Sequence, residues 1–289
     1  MRTEEEMMQL ILQVAKDDQR IRAVGMNGSR TNPRVRADIF QDYDMVYVVE
    51  DMEAFVQDSS WVGAFGERII MQTPEAMELF PPELGGMFSY LMLFTDGNRI
   101  DLTLCPVERA EEWHGGDRLA KVLLDKDHRL PSLPEPSDVN YWVNKPNQQL
   151  FDDCCNEFWW VSTYVVKGLW RREIIYAQDH LQIIREMLLQ MLSWRVGIET
   201  DFSLSVGKSG KHLEQLLTAQ EWEQLMETYA AGNYQSAWRA LDAMCSLFQQ
   251  TAKYVTTSLD FRYPTAMVER VRSYLDHIRQ LPAAAKEIY

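Results

Sequence analysis

No stretch of the 289-residue chain approaches the roughly 20 apolar residues that a membrane-crossing helix requires, so no membrane partner is expected. The opening MRTEEEMMQLILQVAKDDQR lacks the continuous hydrophobic core of a signal peptide, because acidic residues come at once and the apolar positions are interrupted; the expected location is the cytoplasm. Cysteine is scarce. Cys105, Cys154, Cys155 and Cys245 form neither a CxxC pair nor a His/Cys metal series, which points to buried free thiols in a reducing compartment. Basic residues are outnumbered, with 29 Lys and Arg against 43 Asp and Glu and a formal net charge of -14. That balance argues against sequence-independent binding to DNA or RNA and fits a cationic ligand better. No internal repeat is present, so a solenoid is not expected. Gly207-Lys208-Ser209 mimics the end of a Walker A loop, but the earlier glycine that loop needs falls on Phe202, and no strand-loop-helix context surrounds it.

What is present suffices for two packed domains: 46% of the residues are hydrophobic, enough to fill a core in each. Thr3 followed by Glu6 has the form of a capping box, and Met7, Leu10, Ile11 and Val14 follow at helical spacing. IRAVGM, DYDMVYVV and RIIMQ read as strands, and a helix with a loop fills the stretch from Met52 to Gly66. YLMLF and RIDLTL flank the turn TDGN and read as a hairpin. Pro131, Pro134 and Pro136 in LPSLPEPSD mark a boundary, and beyond it the chain is predicted helical over Leu150 to Lys167, Arg172 to Val196, Lys211 to Ala219, Tyr234 to Ser258 and Thr265 to Leu281. The fold class is therefore α+β, with domains over 1–135 and 136–289.

Asp42 and Asp44 stand two apart on a predicted strand, so the period of two turns both carboxylates to one face. Asp101 lies in RIDLTL on another strand. If the two strands are neighbours, three carboxylates converge, and like charges so close need a cation to stay ionised. Mg²⁺ is the natural one, since it prefers oxygen ligands and is commonly held by a few carboxylates together with substrate phosphates. Asp42 and Asp44 are then the ligands of a metal that carries a triphosphate, and Asp44 and Asp101 of one that orients an attacking hydroxyl in an in-line displacement. Each aspartate taken singly also reads as an ordinary strand-start, solvated or turn-proximal residue. Gly28-Ser29-Arg30 follows a predicted strand; there the glycine permits a tight turn with backbone N–H groups for a phosphate, Ser29 adds its hydroxyl and Arg30 a guanidinium fork. Alone, a Gly-Ser pair reads as a turn. Its order relative to the Asp-x-Asp pair is what makes it informative.

The run GSR, FQDYDMVY and RIDLTL resembles the aminoglycoside 6-adenylyltransferases, also called streptomycin adenylyltransferases, a branch of the polymerase-β-like nucleotidyltransferases. The resemblance extends through MQTPEAMELFPPE, DDCCNEFWW, VVKGLWRREIIYAQDHL and SWRVGIETDFSLSVGKSGK to the late RYP segment; Met45, within the Asp-x-Asp strand, is a conservative departure. It implies a nucleotidyltransferase domain with a mixed sheet and flanking helices, then a helical substrate-binding domain, in an enzyme that uses ATP and Mg²⁺ to adenylylate the 6-hydroxyl of streptomycin; a monomer is expected. It also implies that Asp179, in the YAQDH segment, faces the aminoglycoside near the metals, where an aspartate can act as general base. Lys208 and Lys211 stand at the entrance to a predicted helix and are expected to meet the triphosphate, as second-domain lysines do in some polymerase-β-like enzymes. Glu83, Asp152 and Asp153 are candidates for the guanidinium groups of streptomycin. The readings that compete are another hydroxyl-bearing acceptor and a noncatalytic nucleotide-binding protein on the same scaffold.

Overall fold

The computed structural model describes residues 1–128 and 130–289, leaving aside the side chains at 114 and 115. It divides into two compact units, Met1–Asn140 and Tyr141–Tyr289. The division falls five residues beyond the expected 135/136 because the segment after the prolines is tied back to the first unit. Ser137 donates its N–H to the Arg118 carbonyl at 3.1 Å, Arg118 donates to Asn140 Oδ1 at 3.2 Å, and Asp138 is buried beside Arg34.

In the first unit, helix α1 (Glu4–Asp17) begins at the Thr3/Glu6 capping box. Strands β1 (Ile21–Asn27) and β2 (Tyr43–Val49), helix α2 (Met52–Gln57), strands β3 (Arg68–Gln72), β4 (Phe88–Phe94) and β5 (Arg99–Pro106), helix α3 (Ala110–Gly116) and strand β6 (Ala120–Asp125) follow. The six strands form one mixed sheet in the order β3-β4-β5-β2-β1-β6. β2 and β5 are its parallel pair, and the other neighbours run antiparallel. Strand β6 went unrecognised in the sequence because AKVLLD is short and lacks alternation; its pairing with β1 makes it a strand.

Alternation gives the sheet two differently used faces. Tyr43, Met45, Tyr47 and Val49 of β2 join Ile100, Leu102 and Leu104 of β5 and Tyr90, Met92 and Phe94 of β4 in a core covered by Met7 and Ile11 of α1 and by Phe55 and Phe65. Two of the three tyrosine hydroxyls of this core donate to main-chain carbonyls, Tyr47 to Ile11 at 2.6 Å and Tyr90 to Phe55 at 3.0 Å. On the opposite face Val46, Val48, Ala23 and Cys105 pack a smaller core around Trp113 of α3. Gly25 is required there, since a Cβ would come within 2.0 Å of the Trp113 ring.

The second unit is helical, as expected. Helices α4 (Gln148–Trp170) and α5 (Ile174–Glu199) form a long hairpin that packs against α8 (Tyr234–Leu259) and α9 (Thr265–Gln280). Aromatic residues fill its interior: Trp159 and Trp194 are fully buried, and Phe158 stacks on Phe248 with ring centroids 3.8 Å apart. The single helix expected over Lys211 to Ala219 is instead two, α6 (Leu213–Leu216) and α7 (Ala219–Glu227). Thr218 and Glu221 form a capping box that starts the second of these within the span read as one. All four cysteines are free and buried, and burial pushes the Cys105 thiol up to about 11. Among the described residues no helix is long and apolar enough to cross a membrane.

The β4–β5 turn anchors the chain start. Asp96 accepts from the Arg2 main-chain N–H at 3.0 Å and from Arg2 Nε at 2.7 Å, and it also accepts from Asn98. These bonds to the charged form hold the Asp96 carboxyl well below the usual carboxylate range. A depressed folded-state value means that the stabilisation is present at neutral pH and fades as pH falls below about 4. Asp96→Ala is expected to lower the stability of the first unit at pH 7 by about 1 kcal/mol, discounted for the pair's contact with water. Urea midpoints of wild type and variant at pH 7 and pH 3 check this; the gap narrows in acid.

Candidate active site

The parallel register of β2 on β5 pairs Asp44 with Asp101, placing both side chains on the sheet face opposite the large core. Asp42, immediately ahead of β2, shares that face by the same alternation. Gly28 closes the group from β1: it adopts φ +73, and a Cβ at this position would lie 2.1 Å from Asp44 Oδ2. The turn therefore presses bare backbone against a carboxylate, an approach that only glycine permits.

Two features of this turn differ from expectation. The Gly28 N–H, foreseen as a phosphate donor, already donates to the Leu119 carbonyl at 3.0 Å. Arg30 does not offer a fork to a ligand. Its Nε and Nη2 donate to the main-chain carbonyls of Asp42 and Gln41 at 3.0 and 2.9 Å, its guanidinium lies 3.7 Å from the Tyr43 ring centroid, and Glu4 pairs with it at 3.2 Å. Held in this way, Arg30 braces the backbone that carries Asp42. Ser29 follows Gly28, half-buried in the same 3₁₀ turn.

The electrostatics follow from the crowding. Burial pushes the Asp44 carboxyl up to about 6, and the charges of Asp101 and Asp42 add to the effect. Asp42 is raised too, chiefly by burial, with Arg99 opposing the shift. Arg99 was not foreseen from the sequence. Its Nε and Nη2 donate to both oxygens of Asp101 at 2.7 Å each, and its Nε lies 3.6 Å from Asp42 Oδ2. The signal was available, since the period of two that groups Asp42 with Asp44 also places Arg99 on the face of Asp101. Beside the cluster runs a groove of about 770 Å³ lined by Ile39, Phe40, Asp42, Ile70, Leu91 and Arg99.

Among the described residues, no three His, Cys, Asp or Glu side chains enclose a metal-sized space. A closed cage is not what Mg²⁺ needs, because it keeps waters and substrate phosphates in its shell and takes one or two carboxylates from the protein. An open row of hard oxygen donors, two of them raised chiefly by burial, fits that ion.

The remaining candidates are dispersed. Glu83 is exposed in the loop over 81–86 of the first unit. In the second unit Asp179 is exposed on α5, while its neighbour His180 is packed, with Nδ1 2.7 Å from the Tyr176 carbonyl and the ring edge-on to Tyr164. Asp152 and Asp153 are exposed on α4 and accept from Gln148 and Gln149, each at 2.8 Å. They immediately precede Cys154, which meets Met187, whereas Asp179 lies where α5 meets Tyr164. About 11 residues of α4 separate those levels, roughly 16 Å, so Asp152 and Asp153 do not form one cluster with Asp179. Lys208 and Lys211 are exposed around a 3₁₀ turn, Lys208–Gly210. The helix that follows has only four residues, too short for the helix-terminus field expected to assist them. Lys167 is engaged with the rings of Tyr164 and Tyr176, and Arg172 with that of Tyr234.

A mixed sheet that presents carboxylates from parallel neighbouring strands beside a glycine turn, followed by a helical region, is the arrangement of a polymerase-β-like nucleotidyltransferase. The streptomycin adenylyltransferase family model matches residues 1–278, and the chain belongs to that family. It is 49% identical over 266 residues to an aminoglycoside 6-adenylyltransferase of Bacillus subtilis (strain 168), covering 91% of this chain and 94% of that protein. It is 47% identical over 281 residues to one of Campylobacter jejuni, covering 97% and 96%. A crystal structure of an aminoglycoside 6-adenyltransferase from Bacillus subtilis aligns over 97% of this chain and 100% of that one, at 44% identity and a TM-score of 0.49.

Two variants test this geometry. Asp44 is an acid whose folded-state value is raised, so its contribution to stability is intact below about pH 4 and is lost as pH rises through about 6. With EDTA present, Asp44→Asn is therefore expected to be more stable than wild type at pH 8, by an amount on the order of 2 kcal/mol, and to match it near pH 4. Thermal melts across that range read the difference. Gly28→Ala is expected to push the Asp44 carboxylate aside and lower turnover by roughly 100-fold, with the fold retained by circular dichroism.

Proposed function

We propose that this protein transfers AMP from ATP to the 6-hydroxyl of streptomycin with release of pyrophosphate, a magnesium-dependent reaction that confers resistance to the drug. The observation that carries the reading is the register of β2 on β5, which sets Asp44 beside Asp101 with Asp42 ahead of them and Gly28 against Asp44. The acceptor class is supported by relatives named as aminoglycoside 6-adenylyltransferases and by a net charge of -14, which favours approach of a polycation.

In this reading Asp42, Asp44 and Asp101 hold Mg²⁺. Bound there, the ion neutralises the triphosphate and the departing pyrophosphate and acidifies the attacking hydroxyl. Ser29 donates its hydroxyl to a phosphate oxygen, and Gly28 keeps the turn close enough for that contact. Lys208 and Lys211 contribute charge to the same triphosphate. Asp179 accepts the proton of the acceptor hydroxyl, a role open to it because its carboxylate is exposed and carries no intramolecular ion pair among those described. Glu83, Asp152 and Asp153 attract guanidinium groups of the drug. The protein works in the cytoplasm, where ATP is available, as a monomer and without a nucleic-acid partner.

Mass spectrometry of the purified protein incubated with ATP, Mg²⁺ and streptomycin is expected to show a drug product heavier by one AMP unit, absent when EDTA is added. Asp44→Asn, folded by circular dichroism, is expected to lose turnover by roughly a thousandfold or more. A folded, ATP-binding protein that leaves streptomycin unmodified overturns the assigned acceptor and directs the search to other hydroxyl-bearing compounds.

A further inference from the structure

We propose that Arg99 is a resident counter-ion of the carboxylate row, one that a divalent cation must displace, so that the protein takes up metal together with a triphosphate and resists taking it up alone. The inference rests on the metal-holding role given above to Asp42, Asp44 and Asp101.

Arg99 is the first residue of β5 and lies two positions ahead of Asp101, so both project from one face. Its fork engages both Asp101 oxygens at 2.7 Å, the bidentate form that makes guanidinium–carboxylate pairs strong, and the same Nε reaches to 3.6 Å from Asp42. One cation thus spans two of the three carboxylates and engages both oxygens of Asp101, the atoms through which that residue would bind a metal. Arg30, the other nearby guanidinium, is directed at main-chain carbonyls and Glu4 and leaves the row to Arg99.

Arg99 is able to leave. Its side chain is 43% exposed, and it lines the groove that also reaches Asp42. A metal ion arriving alone breaks the Arg99–Asp101 pair and strands the guanidinium among water and apolar side chains. A metal ion arriving with a triphosphate brings anionic oxygens to the same region, and the released guanidinium has a new partner there. The two ligands are then coupled, each raising the affinity for the other by the same factor.

Mn²⁺ binding to the full-length protein, followed by electron paramagnetic resonance with and without α,β-methylene-ATP, measures that coupling without turnover. Wild type is expected to bind Mn²⁺ weakly alone and more tightly with the analogue. Arg99→Met is expected to bind Mn²⁺ alone about tenfold tighter, the scale of a partly exposed bidentate pair, and to gain correspondingly less from the analogue. Asp44→Asn, which marks the row, is expected to lose Mn²⁺ in both conditions. If Asp44→Asn loses the ion while Arg99→Met binds it no tighter than wild type, the counter-ion role is overturned and the metal assignment stands. If Asp44→Asn binds Mn²⁺ like wild type in both conditions, the metal assignment falls and the counter-ion role with it. Should Arg99→Met fail to melt cooperatively, Arg99→Lys gives the reading: a point charge without the fork is expected to give intermediate Mn²⁺ affinity, and wild-type affinity overturns the proposal.

Discussion

The parallel pairing of β2 with β5 is the constraint on which the first unit turns. Main-chain hydrogen bonds set its register, and that register places Asp44 directly beside Asp101 at a site where burial already disfavours charge. The ladder and the apolar face behind it, from Tyr43 and Ile100 to Val49 and Leu104, supply the stability that lets the front face carry mutual repulsion. A slip of one residue would turn the aspartates into that core and the tyrosines outward, so the hydrophobic pattern and the site enforce the same alignment.

Around this pair the chain has arranged three forms of support. Gly28 gives way sterically, Arg30 pins the carbonyls ahead of Asp42, and Arg99 lends a positive charge that can be withdrawn. Arg30 and Arg99 are alike in chemistry and opposite in use. The first is held by carbonyls, an aromatic ring and Glu4 with little access to water, whereas the second sits at a strand start on the rim of a groove. Local destabilisation of this kind is common where a site must bind charge that the free protein lacks.

The second unit follows a different physical logic. Its long helices are held by aromatic and aliphatic packing around Trp159, Trp194, Phe158 and Phe248, and of its charged residues Arg185 and Arg195 are buried, donating to the Thr228 carbonyl and pairing with Glu221 respectively. A rigid interior of this type leaves exposed positions such as Asp179 free to be selected for ligand contact, since changing them disturbs no core.

Much of this was legible in the residues. The period of two in DYDMVYVV and RIDLTL specified two strands, which residues face the core and which carboxylates share a side; the helical second half showed in its spacing and in the prolines before it. Even the use of Arg99 was latent in the same alternation. Adjacency was not. That β2 lies next to β5, and not β4, depends on long-range pairing that no local pattern encodes, and the convergence of Asp44, Asp101 and Gly28 follows from it. The same holds for Arg30, whose sequence neighbours suggest a phosphate ligand until the chain folds two carbonyls and a tyrosine ring onto it. Sequence determines the periodicity and the chemical repertoire because both are local. Tertiary structure decides which of those groups become neighbours, and so what each charge is for.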